Sequence, residues 1–256
     1  MPRPAALPAT GSRAHYSRAP ILEAVIDIHV RLPADVGLEA LSTIPWDDAG
    51  RYSVRLPRFR GDIRFQTDAR TPVVSAEQTQ IGFVSRDEDR KQVVQSRLDG
   101  YAFSKLAPYE RWEPFCEEAR SLWKKYCEVT HPLGITRIAV RYINRLELPL
   151  PFDDFREYLR TYPEVSSDLP QGLSAFLLQI KIAQDDLPDG MLILNEGLME
   201  SSRPDVAPVL LDIDLFRPVV FSAQGDEVWA AIEQLHQRKN SVFEACITDK
   251  TRELIR

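Results

Sequence analysis

The chain has 256 residues, of which 44% are hydrophobic and 27% charged, a composition typical of a globular protein rather than of a disordered or fibrous one. No apolar run approaches the roughly 20 residues that span a bilayer, which argues against a membrane protein. The net charge of −6 argues against a surface dominated by phosphate binding but does not exclude a local basic groove.

The first 19 residues predict a disordered tail, because Pro2, Pro4 and Pro8 within it, and Pro20 directly after it, favour an extended chain. This segment has no continuous apolar stretch, so it lacks the pattern of a secretory signal. The three cysteines, Cys116, Cys127 and Cys246, form no CxxC motif and cannot all pair with one another. We therefore expect a protein of the reducing cytoplasm.

The first half of the chain predicts one strand, a short helix, three further strands and a long helix. Residues 21–32 alternate between apolar and polar side chains up to Pro33, which is typical of a half-buried strand. Residues 35–42 predict the short helix, and residues 111–129 predict the long amphipathic one. The three strands between the helices are expected at 59–68, 73–86 and 91–104.

The second half repeats this order of predicted elements. Residues 135–148 alternate as the first strand does and end at Pro149. Residues 153–162 predict a short helix, and a final amphipathic helix begins at about Asp226. Three strands are expected between the two helices, at 173–184, 190–197 and 206–217. The predicted order is therefore β-α-β-β-β-α, twice.

The spacing of matching residues indicates an internal duplication. Pro33 and Pro149 lie 116 residues apart, and Trp112 and Trp229 lie 117 apart. We predict an α+β fold in which two halves, 20–133 and 134–256, form one fused globular domain with antiparallel sheets packed against two long helices. Duplicated units of this general kind include the TATA-box-binding saddle, the sliding clamps and the helix-grip barrels. The fold class therefore does not indicate a function.

Three arginines follow one face of the strand at 135–148. Arg137, Arg141 and Arg145 lie opposite its apolar face, because side chains on a strand alternate. A row of guanidinium groups could bind phosphates or acidic peptides. Alternatively, carboxylates of neighbouring strands pair with them, and the candidates are Glu23, Asp27, Asp212 and Asp214. We favour pairing, because the row lacks the clustering of a basic nucleic-acid footprint.

The acidic residues on two strands are also candidates for a metal or acid–base site. Glu23, Asp27 and His29 share one face, but Glu23 and His29 are about 20 Å apart along an extended strand and cannot bind one ion. Asp212 and Asp214 also share a face and could hold a cation or act as acid and base. Neither set offers the three or four convergent ligands of a metal site, so paired or solvated carboxylates are expected.

No catalytic or cofactor motif occurs in the sequence. His15 lies in the tail, His131 lies in a loop, and His236 lies on the apolar side of the last helix. The cysteines fall at helix positions typical of inert core thiols. The sequence contains no GxSxG, GxGxxG or GxxxxGK[ST] motif. We expect no cofactor, no bound metal and no catalytic residue, which argues against an enzyme.

Five short motifs stand in order along the chain: Pro-Ile-Leu-Glu-Ala at 20–24, Asp-Gly-Tyr-Ala-Phe-Ser at 99–104, Pro-Tyr-Glu-Arg-Trp at 108–112, Arg-Tyr-Ile-Asn-Arg at 141–145 and Asn-Ser-Val-Phe-Glu-Ala-Cys-Ile-Thr at 240–248. Together they resemble a sporadically distributed, uncharacterised family of bacterial proteins of about this length. The resemblance implies a bacterial cytoplasmic protein and no particular chemistry. The motifs also predict that Gly100 allows a close backbone approach, that Tyr109 and Trp112 anchor the long helix, and that Asn144 bonds to the backbone.

Three functions are consistent with these observations. The leading hypothesis is a binding protein that acts through protein contacts, with another protein or a second copy of itself. The second is nucleic-acid binding through Arg137, Arg141 and Arg145 together with Arg13 and Arg18 of the tail. A weaker one is a metal-dependent hydrolase that uses Asp212, Asp214 and a distant histidine.

Overall fold

The computed structural model describes residues 16–46, 50–66 and 73–256. This part of the chain is an α+β protein with one nine-stranded antiparallel sheet. Its strands are β1 (Ile21–Arg31), β2 (Val54–Gln66), β3 (Val73–Arg86), β4 (Gln92–Arg97), β5 (Gly100–Leu106), β6 (Gly134–Pro149), β7 (Leu177–Gln184), β8 (Gly190–Leu198) and β9 (Val206–Phe221). Its α-helices are α1 (Leu38–Ser42), α2 (Trp112–Thr130), α3 (Glu227–Cys246) and α4 (Asp249–Ile255).

The strands lie in the order β2-β3-β4-β5-β1-β6-β9-β8-β7. The two alternating strands recognised in the sequence, β1 and β6, pair with each other at the centre of the sheet. β1 continues outward through β5 and β4, and β6 continues outward through β9 and β8. The central pair therefore joins the part of the sheet built by the first half of the chain to the part built by the second half.

The predicted strand at 91–104 is wrong, because this segment forms the hairpin of β4 and β5. Its turn contains only Leu98 and Asp99, and Gly100 follows with a φ of 156°. A Cβ on Gly100 would lie 2.3 Å from the carbonyl oxygen of Ile28, which confirms the predicted close approach. The order β-α-β-β-β-α is therefore wrong for the first half, which has four strands after α1.

The helix predicted at 153–162 is a single 3₁₀ turn at Phe155–Glu157. The Asp154 side chain accepts a hydrogen bond from the backbone N–H of Arg156 at 2.8 Å and so starts the turn. The turn does not lengthen into an α-helix, because Leu159 instead forms a β-bridge with Ile247. That bridge joins the segment to the chain between α3 and α4.

Side chains of α2 and α3 contact side chains on one face of the sheet. On β5, the Tyr101 hydroxyl donates to the carbonyl of Ala119 on α2 at 2.9 Å, and the Phe103 ring lies 5.3 Å from that of Phe115. On β6, Tyr142 lies 6.1 Å from the ring of His236 on α3. Apolar burial on this face forms the main hydrophobic core. None of the described helices is both long and apolar enough to cross a membrane.

The segment before β1 contacts the end of the chain. The Tyr16 hydroxyl donates to Glu244 on α3 at 2.7 Å, and the backbone N–H of Arg18 donates to the carbonyl of Ile255 at 3.1 Å. Residues 1–15 of the predicted tail, including Arg13 and His15, lie outside the described residues.

Candidate functional site on the open face of the sheet

The face of the sheet that points away from α2 and α3, called here the open face, carries polar side chains in rows. Paired residues on neighbouring strands share a face, so the strand register defines each row. One row runs through Arg58, Gly82, Arg97, Gly100, His29 and Arg137, across β2, β3, β4, β5, β1 and β6. The next contains Gln95, Ala102, Asp27 and Ala139, and the third contains Ser104, Val25, Arg141 and Asp214.

Asp27 lies at the centre of this face and contacts three basic side chains. Its carboxylate accepts from Arg97 Nη1 at 2.7 Å and from Arg137 Nη1 at 3.2 Å, and it lies 3.0 Å from His29 Nε2. Burial alone would raise the pKa of Asp27, but hydrogen bonding with His29 and the charge of Arg97 lower it to about 2. Asp27 is therefore a stable anion that holds three side chains from three strands.

Arg141 and Asp212 form the second ionic contact of the open face. Arg141 donates from Nε and Nη2 to the two carboxylate oxygens of Asp212, at 2.8 and 2.7 Å. This bidentate geometry is the strongest form of an arginine–carboxylate contact. Asn195 on β8 donates to the same carboxylate at 2.9 Å. Asp212 thus already has its hydrogen-bond partners within the sheet.

The remaining predicted residues form looser contacts. Asp214 lies 3.8 Å from Arg137, and burial raises its pKa although both Arg137 and Arg141 oppose the rise. Arg145 has its Nε 3.1 Å from Glu147 on the same strand. Glu23 lines the central cavity but makes no hydrogen bond or ion pair within the described part of the chain.

A cavity of about 280 Å³ occupies the middle of the open face. Its floor contains small side chains, among which Ala102, Ser104 and Ala139 are buried, and its walls are the longer polar side chains of the three rows. A second cavity of about 260 Å³ adjoins it towards β2, and both are lined by His29, Arg58 and Arg97. Small residues between long ones therefore create an indented, polar surface.

Some polar atoms at these cavities have no partner. Nη2 of Arg97, Nε of Arg58 and Oε1 of Gln95 are buried and make no hydrogen bond with the described residues. Arg97 is only 6% exposed, so its unpaired N–H group is costly unless a ligand or water reaches it. Burial, and then the positive charge of Arg97, lower the pKa of Arg58, which has no ion pair in the described structure.

The predicted pairing with carboxylates of neighbouring strands is confirmed for two of the three arginines, whereas Arg145 contacts Glu147 of its own strand. Arg137 pairs with Asp27 and Asp214, and Arg141 pairs with Asp212. The Asp212 carboxylate accepts three hydrogen bonds, two from Arg141 and one from Asn195. No cluster of three or more His, Cys, Asp or Glu side chains suited to a metal occurs among the residues described.

Arg58, Arg97 and Gln95 were not recognised in the sequence as site residues. Arg58 lies one residue before the predicted strand at 59–68, and the single strand predicted at 91–104 hid the hairpin that places Arg97 beside β1. The spacing of Gly82 and Gly100 was the available signal, because glycines within strands mark close approaches of backbone or side chains.

The other predicted residues lie away from the open face. His236 is buried on α3 and stacks on the Trp112 ring at 3.9 Å, as its apolar position predicted. Burial raises the pKa of Cys116 to about 11 and those of Cys127 and Cys246 to about 12, which is typical of inert thiols. The amide of Asn144 donates to the carbonyl of Leu211 at 3.0 Å, which confirms its predicted role.

Two buried ionisable groups occur on the helix-covered side of the sheet. Lys239 of α3 lies with Nζ 3.6 Å from the centre of the Tyr142 ring, and burial lowers its pKa to about 7. Glu196 of β8 is fully buried, and neither carboxylate oxygen has a hydrogen-bond partner among the described residues. Burial raises the pKa of Glu196 to about 8, so at neutral pH it is mostly protonated.

Comparison of the chain with protein-family models gave no match, and a comparison with curated proteins gave none. The geometry of the open face is therefore the basis for a functional proposal.

Proposed function

We propose that the chain is a protein-binding module whose docking surface is the open face of the sheet. One observation carries the proposal: two open-face charges of opposite sign, Arg58 and Glu23, have no ion partner within the described residues, while the charges between them are paired. The side chains concerned are four arginines (Arg58, Arg97, Arg137 and Arg141) and four carboxylates (Glu23, Asp27, Asp212 and Asp214). A surface with balanced charge and both signs unpaired suits a partner that carries both signs.

The balance of charge favours a protein over a nucleic acid as the partner. Binding to a phosphate backbone depends on basic side chains that neutralise several phosphates. Arg137 and Arg141 are engaged with carboxylates of the same sheet, and Glu23 would repel a phosphate. We infer that the partner contributes a polypeptide segment that lies across the open face. An acidic side chain of this segment contacts Arg58, and a basic one contacts Glu23.

Reversing the charge of Arg58 and of Glu23, one at a time, tests this proposal. The tagged full-length protein is used to capture partners from nuclease-treated lysate of the cells that produce it, in parallel with the variants Arg58→Glu and Glu23→Arg. Lys124→Glu on α2 and Glu253→Arg on α4 are matched controls, because both residues are exposed on helices. A captured protein is then purified and titrated against each variant by calorimetry.

We expect a purified protein that binds the wild type and both controls, and that binds each open-face variant at least about tenfold more weakly. A partner that binds all variants equally would contradict the proposal, because the docking surface would lie elsewhere. If the tagged protein captures only a second copy of itself, and both open-face variants lose this capture, then the partner is the protein itself and the docking surface serves self-association.

A direct binding measurement distinguishes the alternative, nucleic-acid binding, from the proposed protein binding. Fluorescence anisotropy of labelled DNA and RNA is measured at low salt and again as salt is raised. Electrostatic binding to phosphates weakens steeply with salt, whereas the proposed module should give no saturable signal. Saturable, salt-sensitive binding that Arg137→Gln or Arg141→Gln abolishes would overturn the protein-binding proposal.

We also propose that the two halves of the chain derive from one duplicated unit. The strand order supports this: in each half the first strand pairs with the last, and the sheet continues outward through the strands before it, as β1-β5-β4-β3 and β6-β9-β8-β7, with β2 as one additional strand in the first half. In each half a long helix, α2 or α3, also follows the last strand. The central pair of β1 and β6 would then be the join between two equivalent edges.

A further inference from the structure

Arg58 and Arg97 lie in the same row of the open face, separated by Gly82 of β3. A Cβ on Gly82 would lie 2.0 Å from the carbonyl oxygen of Ser96, and one on Gly100, on the other side of Arg97, would lie 3.0 Å from Arg97 Nη2. Neither position accepts a larger side chain without a shift of the backbone or of the guanidinium. The two glycines therefore keep the surface beside Arg97 free of side chains.

The arginines of this row, together with the adjacent Arg60, carry more positive charge than the nearby carboxylates compensate. Asp27 and Asp99 each contact two of four guanidinium groups, and Asp214 lies 3.8 Å from one of them. The four arginines are Arg58, Arg60, Arg97 and Arg137. At least one positive charge is left, and Arg58 is the member that has no ion pair within the described residues.

The unpaired N–H groups point to the kind of ligand that would fit. Arg97 is more than nine-tenths buried, with Nε on Asp99 and Nη1 on Asp27, and its remaining nitrogen, Nη2, has no acceptor. The adjoining cavities of about 280 and 260 Å³ are both lined by Arg58 and Arg97. A group with two or three oxygen acceptors and a negative charge would satisfy these donors, because guanidinium forks match carboxylate and phosphate geometry.

We propose that Arg58 and Arg97 form a site for an oxyanion carried by the partner protein, either the carboxylate of an acidic side chain or the phosphate monoester of a phosphorylated one. This inference rests on the protein-binding function proposed above and specifies the group that the Arg58 end recognises. Phe59, which is 53% exposed and lines the second cavity, gives the neighbouring part of the partner segment an apolar contact.

Three small probes test the site in the full-length protein: the N-acetyl methylamides of phosphoserine, glutamate and glutamine. Each is titrated at low salt into the wild type, Arg58→Gln and the control Lys124→Gln, and NMR shifts of the arginine Nε–H groups are followed. We expect saturable binding of at least one charged probe and none of glutamine. Arg58→Gln should weaken that binding by at least about tenfold, and Lys124→Gln should leave it unchanged, because a charge-assisted hydrogen bond is lost only in the former.

The two charged probes distinguish the source of the oxyanion. Tighter binding of the phosphoserine probe identifies a phosphorylated partner, and tighter binding of the glutamate probe identifies an acidic one. The site is overturned if neither charged probe binds, if glutamine binds equally well, or if Arg58→Gln binds as the wild type does.

A second measurement uses only the wild type, so it does not depend on the folding of a variant. Phenylglyoxal modifies guanidinium groups, and mass spectrometry gives the rate at each arginine. The bound probe should slow modification of Arg58 and leave that of the exposed Arg31 unchanged. Equal rates with and without probe would overturn the site.

The oxyanion site and the docking surface can fail separately. If probes bind but partner capture is insensitive to Glu23→Arg and Arg58→Glu, the site stands and the docking surface fails. If capture is sensitive to these variants but no probe binds, only the site fails.

Discussion

Asp27 is the residue whose removal should disturb the open face most. Its carboxylate is the shared partner of Arg97 and Arg137, and the Arg97 side chain is only 8% exposed. Asp27→Asn keeps the size of the side chain but leaves both guanidiniums without this charge. We expect the free energy of unfolding at pH 7 to fall by about 3 kcal/mol, which is typical when one partner of a buried ion pair is removed. Urea unfolding of the variant and the wild type measures the difference.

The same residue should give the wild type an acid-sensitive stability. Burial tends to raise the pKa of Asp27, but His29 and Arg97 lower it from 3.8 to about 2 in the folded state. A lowered pKa means that the stabilisation is complete above about pH 4 and is lost as the pH falls towards 2, by about 2 kcal/mol. This slope should be missing in Asp27→Asn and retained in the exposed control Asp35→Asn. If the free energy of unfolding changed equally with pH in all three proteins, Asp27 would not be the source of the acid sensitivity.

Glu196 should act in the opposite direction. Burial raises its pKa from 4.5 to about 8, so between these values the folded protein holds a proton that the unfolded chain has lost. The free energy of unfolding should therefore fall as pH rises from about 4.5 to 8, by at most about 5 kcal/mol. Glu196→Gln removes the ionisation and should abolish the fall, whereas Glu253→Gln on the exposed side of α4 should not. Unfolding measured at several pH values between 5 and 9 decides between these outcomes.

At the scale of residues, the sequence predicts well on which face of a strand a side chain lies, and predicts less well which residue that side chain contacts. Alternation placed Arg137 and Arg141 on one face of their strand, and Asp212 and Asp214 on one face of theirs, because the side-chain period of a strand is independent of its neighbours. It could not show that Arg97 reaches Asp27, since that contact depends on β5 lying between β4 and β1. Nor could the pattern show that Glu196 is buried, because a charged residue in an alternating strand normally faces solvent.

Among the elements, the hairpin of β4 and β5 depends most on one residue. Gly100 has a φ of 156°, and a Cβ there would lie 2.3 Å from the carbonyl oxygen of Ile28 on β1. Gly100→Ala should therefore destabilise the protein by about 3 kcal/mol or more, because the backbone is strained and β5 must move away from β1. Gly172→Ala is the matched control, since nothing lies within 4 Å of its Cβ position. Thermal unfolding should show a clear loss for the first variant and a change of less than about 1 kcal/mol for the second.

The elements with the most regular patterns were predicted well, whereas β2 begins five residues before its predicted start and β9 ends four residues after its predicted end. The helices α2 and α3 and the strands β1 and β6 begin and end within two residues of their predicted bounds wherever a bound was given, because their periodic patterns extend over many residues. The turn at Leu98 and Asp99 was missed because two residues interrupt the alternation too briefly. The helix expected at 153–162 failed because the bridge between Leu159 and Ile247 is a tertiary contact that local propensity does not contain.

At the scale of the whole molecule, the two halves of the sheet meet only where β1 pairs with β6 among the described strands. The spacing of 116 to 117 residues predicts two similar halves, and this stays a prediction, because the first half has five strands and the second has four. The sequence did not indicate how the halves join, because both β1 and β6 alternate and either could have formed an outer edge. Pairing them buries both inner edges, which leaves β2 and β7 at the ends of the sheet.

A circular permutant tests whether the halves depend on their order in the chain. The backbone of Arg18 donates to the carbonyl of Ile255, so the start of the described chain and its end are already adjacent. Fusing Arg256 to Met1 and opening the chain before Gly134 leaves every strand pair of the described residues intact. We expect one cooperative unfolding transition, with a midpoint within about 10 °C of the wild type, because the core contacts are unchanged. An insoluble product or two separate calorimetric transitions would show that the connection between α2 and β6 is needed to assemble the sheet.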